Sequence, residues 1–299
     1  MATAWLNSRP YNDGVTQAIL NADLHCHSVI SDGTLTPEAL AARAKANGVQ
    51  LWSLTDHDEV GGQTRAIAAA KAQGLSYLTG TEISVTFAGQ TVHIVGLGFD
   101  PHNPALQQGL HATRNGRGAR AQEMSDGLAK VGIKGAYEGA LKYAGNPELI
   151  SRTHFARFLV ETGVCADTHE VFRNYLTEGN PGFVPHRWAH LKDCVQWITQ
   201  AGGMAIIAHP ARYNFTANEE YALFTEFKAH GGQGVEVVTG SHTAAEYVQY
   251  ADMAKEFNLL ASRGSDFHSP EESRIDLGDL PWLPGELTPV WEALAHRIQ

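Results

Sequence analysis

Apolar and polar positions alternate along this chain in blocks, and the period changes from block to block. Residues 19–27 (ILNADLHCH) form an apolar run ending in polar side chains, which predicts a buried strand. The next block, TPEALAARAKANG, has helical spacing, with Thr36 placed to cap its start, Pro37 in its first turn and Gly48 at its stop. A second strand, QLWSLTDH, leads into a helical pattern over 62–73 that Gly74 closes. LSYLTGTEISV and TVHIVGLGF then follow one another through a short turn at Ala88, Gly89 and Gln90. That gap is too short for a crossover helix and predicts a hairpin, a local break in parallel order. Further along come a helix at 192–201, the strand MAIIAHP, a helix at 218–230, the strand GVEVV, a helix at 243–257 and the strand LLASRGSDFH. Strands separated mostly by helices predict an α/β fold of the (β/α) barrel type, with seven strands.

Residues 103–185 break this rhythm with helical stretches: RGARAQEMSDGLAKVG, YEGALKYAG, RTHFARFLVETG and DTHEVFRNYL. The segment is too long for an ordinary connection and predicts a helical insertion beside the barrel mouth. The expected organisation is therefore a first barrel part at 20–102, a helical cap at 103–185 and a second barrel part at 186–299.

Composition narrows the function classes. With 299 residues, 43% of them hydrophobic, the chain can bury a sizeable core. Its net charge of −10 opposes nonspecific adhesion to nucleic acid or anionic membrane, so a phosphate-bearing ligand must be drawn in locally. No apolar run approaches the roughly 20 residues of a membrane span. The first residues lack a basic stretch followed by a continuous apolar one, so no secretory signal is expected, and a cytoplasmic location is. Cys26, Cys165 and Cys194 are odd in number and widely spaced, which fits reduced thiols; Cys26 reads as small apolar filler. No stable protein partner is expected.

The unusual count is 15 histidines, because many fall at predicted strand ends. His25 and His27 close the first strand, His57 the second; Glu82 lies in GTE, His93 on the fourth strand, His209 in AHP, and Asp266 and His268 in SDFH, with Asp32 on the first loop. In a parallel barrel such ends converge on one face. His25 and His27, two apart on a strand, point to the same side. Singly, each histidine reads as an ordinary hydrogen-bonded polar residue. Gathered without cations, though, six imidazoles and three carboxylates would leave acids repelling and buried nitrogens unsatisfied. Mixed imidazole and carboxylate donors suit Mn²⁺, Fe²⁺ or Zn²⁺, Mn²⁺ foremost, over Ca²⁺. Nine donors are too many for one ion and imply two or three, with Glu82 as a bridge and metal-bound hydroxide as the expected nucleophile.

The stretches DLHCHS, SDG, TDHD, GTE, VHIVGLGF, AHP and GSDFH resemble the motifs of the PHP (polymerase and histidinol phosphatase) superfamily. The resemblance implies a distorted (β/α)₇ PHP barrel with a helical insertion domain and a phosphoesterase site of two or three metals. The family's ligand positions fall on His25, His27, Asp32, His57, Glu82, His93, His209, Asp266 and His268. SRTHFARFLVE, VPHRWAHLKDCVQWI, AGGMAIIAHPARY and GGQGVEVVTGSHT resemble the branch that includes 3',5'-nucleoside bisphosphate phosphatases and the 5'-to-3' exoribonuclease RNase AM. This implies hydrolysis of bisphosphates such as pAp to the nucleoside 5'-monophosphate, and action on short RNA. Thr153 departs from the proline expected after SR.

An anionic substrate needs cations beyond the metals. Arg114, Arg117 and Arg120 stand at i, i+3 and i+6 in a predicted helix, with Arg152 and His154 further on; Arg117, Arg120, Arg152, His154 and Ser241 are the expected phosphate contacts. His242, in TGSHT, is the candidate proton donor to the leaving oxygen, and His186 has weaker support. Phe155 and Phe158 have the spacing of helix core. Two other functions fit parts of the pattern. Metal-dependent amidohydrolases also pair histidines on a first strand but usually place a bridging lysine on the fourth, and TVHIVGLGFD offers none. A barrel retained only to bind RNA should have lost ligands, and all nine positions are filled.

Overall fold

The computed structural model describes residues 20–299, so the reading of the first residues as lacking a secretory signal lies outside the described residues. Three short parallel strands come first: β1 (Ala22–Asp23), β2 (Leu51–Trp52) and β3 (Ser76–Tyr77). The second sheet holds β4 (Gly80–Phe87), β5 (Gln90–Leu97), β6 (Met204–Ile207), β7 (Gly234–Thr239) and β8 (Leu260–Gly264), in that order. As the short turn predicts, β4 and β5 are antiparallel, and only Ala88 and Gly89, with φ angles of 46° and 79°, lie between them. β5 also runs antiparallel to β6, and the rest are parallel.

The two sheets join at both edges. Cys26 bridges Phe267, the Leu24 amide donates to the Arg263 carbonyl at 3.0 Å, and His57 bridges Glu82. Because β3 and β4 are one path interrupted at 78–79, the ring has seven strands, the distorted (β/α)₇ barrel. Leu24, Leu51, Leu78, Val95, Leu97 and Ile206, on or beside strands of both sheets, form one apolar cluster with Val290 and Leu294 of the C-terminal segment. Cys26 is buried apolar filler with a free thiol, beneath the Trp52 indole, whose Nε1 donates to its Sγ at 3.2 Å.

Outside the ring pack α1 (Pro37–Ala46), capped by Thr36 Oγ1, and α2 (Gln63–Gln73), ended by Gly74 at φ 64°. After β5 come α3 (Pro104–Arg114), α4 (Arg117–Lys130), α5 (Ala136–Leu141), α6 (Arg152–Glu161) and α7 (Thr168–Val171), the last running into a π-helical turn at Phe172–Leu176. α8 (Leu191–Gln200), α9 (Ala217–Ala229), α10 (Ala244–Glu256) and α11 (Val290–Ala293) complete the chain. Two sequence expectations change here. Arg114 does not share a helix with Arg117 and Arg120, because Asn115 and Gly116, the latter at φ 95°, break the run. Helix α3 was not separated out by the sequence pattern. It packs as a barrel helix, with Leu106 and Leu110 in the same core as Ile198. The insertion's own core, with Met124, Leu128, Phe155, Leu159 and Leu176, begins only in α4. No helix among the described residues is long and apolar enough to cross a membrane.

Candidate metal centre

All nine candidate donors meet at one end of the ring, though not all at strand ends. Glu82 is the third residue of the eight-residue β4, and His93 lies in the first half of β5. Reversal of β5 brings its beginning to the face where the parallel strands finish, so the expectation that both residues end strands is corrected without separating them. Backbone strain marks the same face: Asp58, His209 and Asp266 have φ of 49°, 26° and 56°, conformations that cost non-glycine residues energy.

Glu82 is fully buried and central. Its Oε1 lies 2.8 Å from His209 Nε2 and 2.9 Å from His93 Nδ1. Its Oε2 lies 3.0 Å from His57 Nδ1, 3.2 Å from His27 Nε2 and 3.3 Å from His25 Nε2. Asp266 Oδ1 stands 3.2 Å from His27 Nε2 and 3.5 Å from His25 Nε2, while Asp32 Oδ1 stands 3.4 Å from His268 Nε2 and 3.8 Å from His57 Nε2. Eight of these donors form three overlapping groups: His25, His27, Glu82 and Asp266; His57, Glu82 and His93; and His27, Asp32, His57 and His268. His209 meets them through Glu82.

Such crowding perturbs several of the donors. Burial opposes ionisation of Glu82, but His93, His25 and His57 hold its carboxyl well below the usual range. Burial likewise opposes charge on His27, yet the Asp266 and Glu82 carboxylates beside it push it up to about 10. His209 is pushed down to about 4 by burial, with Arg212 adding to the effect. Seven buried donor atoms lack any hydrogen-bond partner: His27 Nδ1, Asp32 Oδ1, His57 Nδ1, Glu82 Oε2, His93 Nδ1, His209 Nδ1 and Asp266 Oδ1. Unpartnered buried nitrogens and oxygens side by side are costly, and divalent cations would satisfy both kinds at once. The residues therefore fit a multinuclear centre.

Supporting contacts come from residues the sequence reading did not single out. Glu236 Oε1 holds His25 Nδ1 at 2.8 Å, and its Oε2 accepts from the His209 amide at 2.7 Å. An acid inside the apolar strand GVEVV was the visible signal. Arg212 donates to Asp266 Oδ2 at 2.7 Å. Asp58 accepts from the Ser84 amide at 2.7 Å and pairs with Arg117.

The donor groups open into a cavity whose lining also includes Arg117, Arg120, Arg152 and Arg212. Arg117 and Arg120 lie over Trp188, their guanidinium carbons 4.5 and 5.5 Å from the ring centre. Burial and the nearby Arg152 and Arg117 push Arg120 down to about 9, still above neutral pH, while Arg117 is paired with Asp58 and Arg212 with Asp266. Three sequence candidates lie elsewhere. His154 is buried in the turn opening α6, its Nδ1 accepting from the Ser151 amide at 3.0 Å. His242 has both nitrogens committed to backbone, Nδ1 to the Val237 carbonyl at 3.1 Å and Nε2 to the Ala211 amide at 3.3 Å, which leaves none to donate to a leaving group. Ser241 Oγ is buried and does not line the cavity. His186 stacks edgewise on Trp188 at 4.2 Å, and Phe155 is core.

The barrel and this donor set define a metal-dependent phosphoesterase. Residues 23–110 match the family described as the PHP domain. The chain is 49% identical over 93% of its length, and 98% of the other's, to a 3',5'-nucleoside bisphosphate phosphatase from Chromobacterium violaceum. It is 43% identical, over 90% of its length and 97% of the other's, to a 5'-3' exoribonuclease from Haemophilus influenzae. A solved structure from Chromobacterium violaceum, described as an amidohydrolase with bound sulfate and no metal, superposes with a TM-score of 0.91 at 49% identity, covering 93% of this chain and 97% of that one. This chain belongs to the PHP domain family.

Proposed function

We propose that the chain hydrolyses 3',5'-nucleoside bisphosphates such as pAp to the nucleoside 5'-monophosphate and phosphate, and that the same site shortens RNA from its 5' end. The observation that carries this reading is the pairing, in one cavity, of three imidazole–carboxylate groups with four arginines. A substrate with two anionic groups fits such a surface better than a neutral amide does, and no lysine lines the cavity as an amidohydrolase site would require. The two relatives' activities support both halves of the proposal.

His25, His27, Asp32, His57, Glu82, His93, His209, Asp266 and His268 are the metal ligands in this reading, for two or three ions, with Mn²⁺ ahead of Fe²⁺ or Zn²⁺. Such ions supply Lewis acidity and make water acidic near neutral pH. Arg117, Arg120 and Arg152 hold phosphate through paired donors, and Arg212, beside Asp266, offsets charge at the reacting group. His242 and His154 act by holding loops rather than by touching substrate. The three free, separated thiols agree with a reducing cytoplasm.

The test compares a 3',5'-bisphosphate nucleotide with a 5'-phosphorylated oligonucleotide, using Mn²⁺-loaded protein. Phosphate from the first and mononucleotides from the second are expected, and Glu82→Gln should reduce both by at least about 1,000-fold with the fold intact. Amide or lactone hydrolysis without phosphate release would overturn the proposal.

A further inference from the structure

Two of the donor groups differ in what holds them. In the group around His25, barrel residues do the work: Glu236 fixes the His25 ring at 2.8 Å, and Arg212 takes the outer oxygen of Asp266 at 2.7 Å. The group of His27, Asp32, His57 and His268 is supported differently. Asp32 sits on a loop, and its Oδ2 accepts from Ser151 Oγ at 3.2 Å. Ser151 belongs to the insertion, as the N-cap of α6. With Oδ2 engaged, Oδ1 is left buried, without a hydrogen-bond partner, facing His268 and His57. The loop is pinned through Ser31 Oγ and the Ser28 amide, both donating to Asp56 Oδ1 at 2.7 and 2.8 Å, but those bonds fix its course and not the rotation of the Asp32 carboxylate.

We propose that Ser151 is a positioning residue for a divalent cation at the Asp32 group, so that one hydroxyl from the insertion sets occupancy of this metal position, in contrast to the His25 group, which barrel residues hold. The inference rests on the metal-dependent reading of the donor set. Outer hydrogen bonds that orient a ligating carboxylate typically change metal affinity by about 10–100-fold. Without the hydroxyl, Asp32 Oδ2 loses its partner and the carboxylate can turn Oδ1 away from the imidazoles.

Wild type, Ser151→Ala and Ser151→Thr are dialysed to equilibrium against graded MnCl₂, and bound manganese is counted by elemental analysis. Ser151→Ala should move one binding step to about 10–100-fold higher Mn²⁺ and leave the rest in place, and Ser151→Thr should restore it. Should the alanine variant fold poorly, Ser151→Gly removes the hydroxyl while keeping a residue suited to an N-cap. A lowered melting temperature with unchanged binding would reduce Ser151 to a helix cap and overturn the inference, as would an equal shift of every step. Wild-type protein that binds no Mn²⁺ would overturn the metal reading itself.

Discussion

Glu82 carries more of the site than any other side chain, because its two oxygens stand within 3.3 Å of five imidazoles. His154 shows the opposite use of the same residue type. Burial pushes it down to about 4, and its Nδ1 must stay unprotonated to accept the Ser151 amide. The folded value lies below the ordinary one of about 6.5, so between about pH 6.5 and about 4 the unfolded chain binds a proton that the folded chain refuses. The stability it contributes is whole above that window and is lost as pH falls through it, to a limit of about 3 kcal/mol. Denaturant unfolding of metal-free protein at about pH 7.5 and about pH 4.5 should therefore show a steeper loss for wild type than for His154→Gln. Equal losses would refute the assignment. This role was legible: Ser151 stands three residues before His154, the spacing of a reciprocal cap. Reading an imidazole near arginines as a phosphate contact passed over it.

Among the elements, the seam where β8 meets the chain just after β1 is a close approach. A methyl on Gly264 would sit 2.3 Å from His25 Cβ and 2.7 Å from the His25 amide nitrogen. Gly264→Ala should cost about 1–3 kcal/mol in urea unfolding, the usual range for overpacking, and should weaken Mn²⁺ binding because His25 must move. Unchanged stability would mean that the strands have room to part. Strand and helix positions were largely readable, since the period switches and the Thr36, Gly74 and Ala88–Gly89 signals are local. What could not be read was strand length. A hairpin of eight-residue strands places Glu82 and His93 inside β4 and β5 rather than at their ends. Arg212 escaped notice for another reason: it follows His209 on a single 3₁₀ turn, and its aim depends on a φ of 26° at that histidine.

At the scale of the whole molecule, the charge distribution has two ranges. The chain's net charge of −10 repels anions at a distance, while four cavity arginines attract them at contact. Salt screens exposed charges over about 8–10 Å at physiological strength, so long-range repulsion and short-range capture respond differently. If capture dominates, kcat/KM for the bisphosphate should fall several-fold between about 0.05 and about 0.5 M salt while kcat holds, and Arg152→Ala should blunt the fall. A rise with salt would show that the overall field governs encounter. The gathering of the donors was legible because most lie near a strand terminus or turn; the separate support of the groups was not, since Glu236, Arg212 and Ser151 act across 211, 54 and 119 residues of sequence.

The turn at Ala88 and Gly89 sets a constraint on how this protein can change length. Side chains on paired strands alternate between faces, so adding or deleting one residue there would slide β5 by one pleat and put Val92 or Ile94 where His93 now points. Surface loops elsewhere can lengthen by increments. This connection can vary only by jumps that preserve parity, which makes two residues of hairpin as restrictive as any ligand they serve.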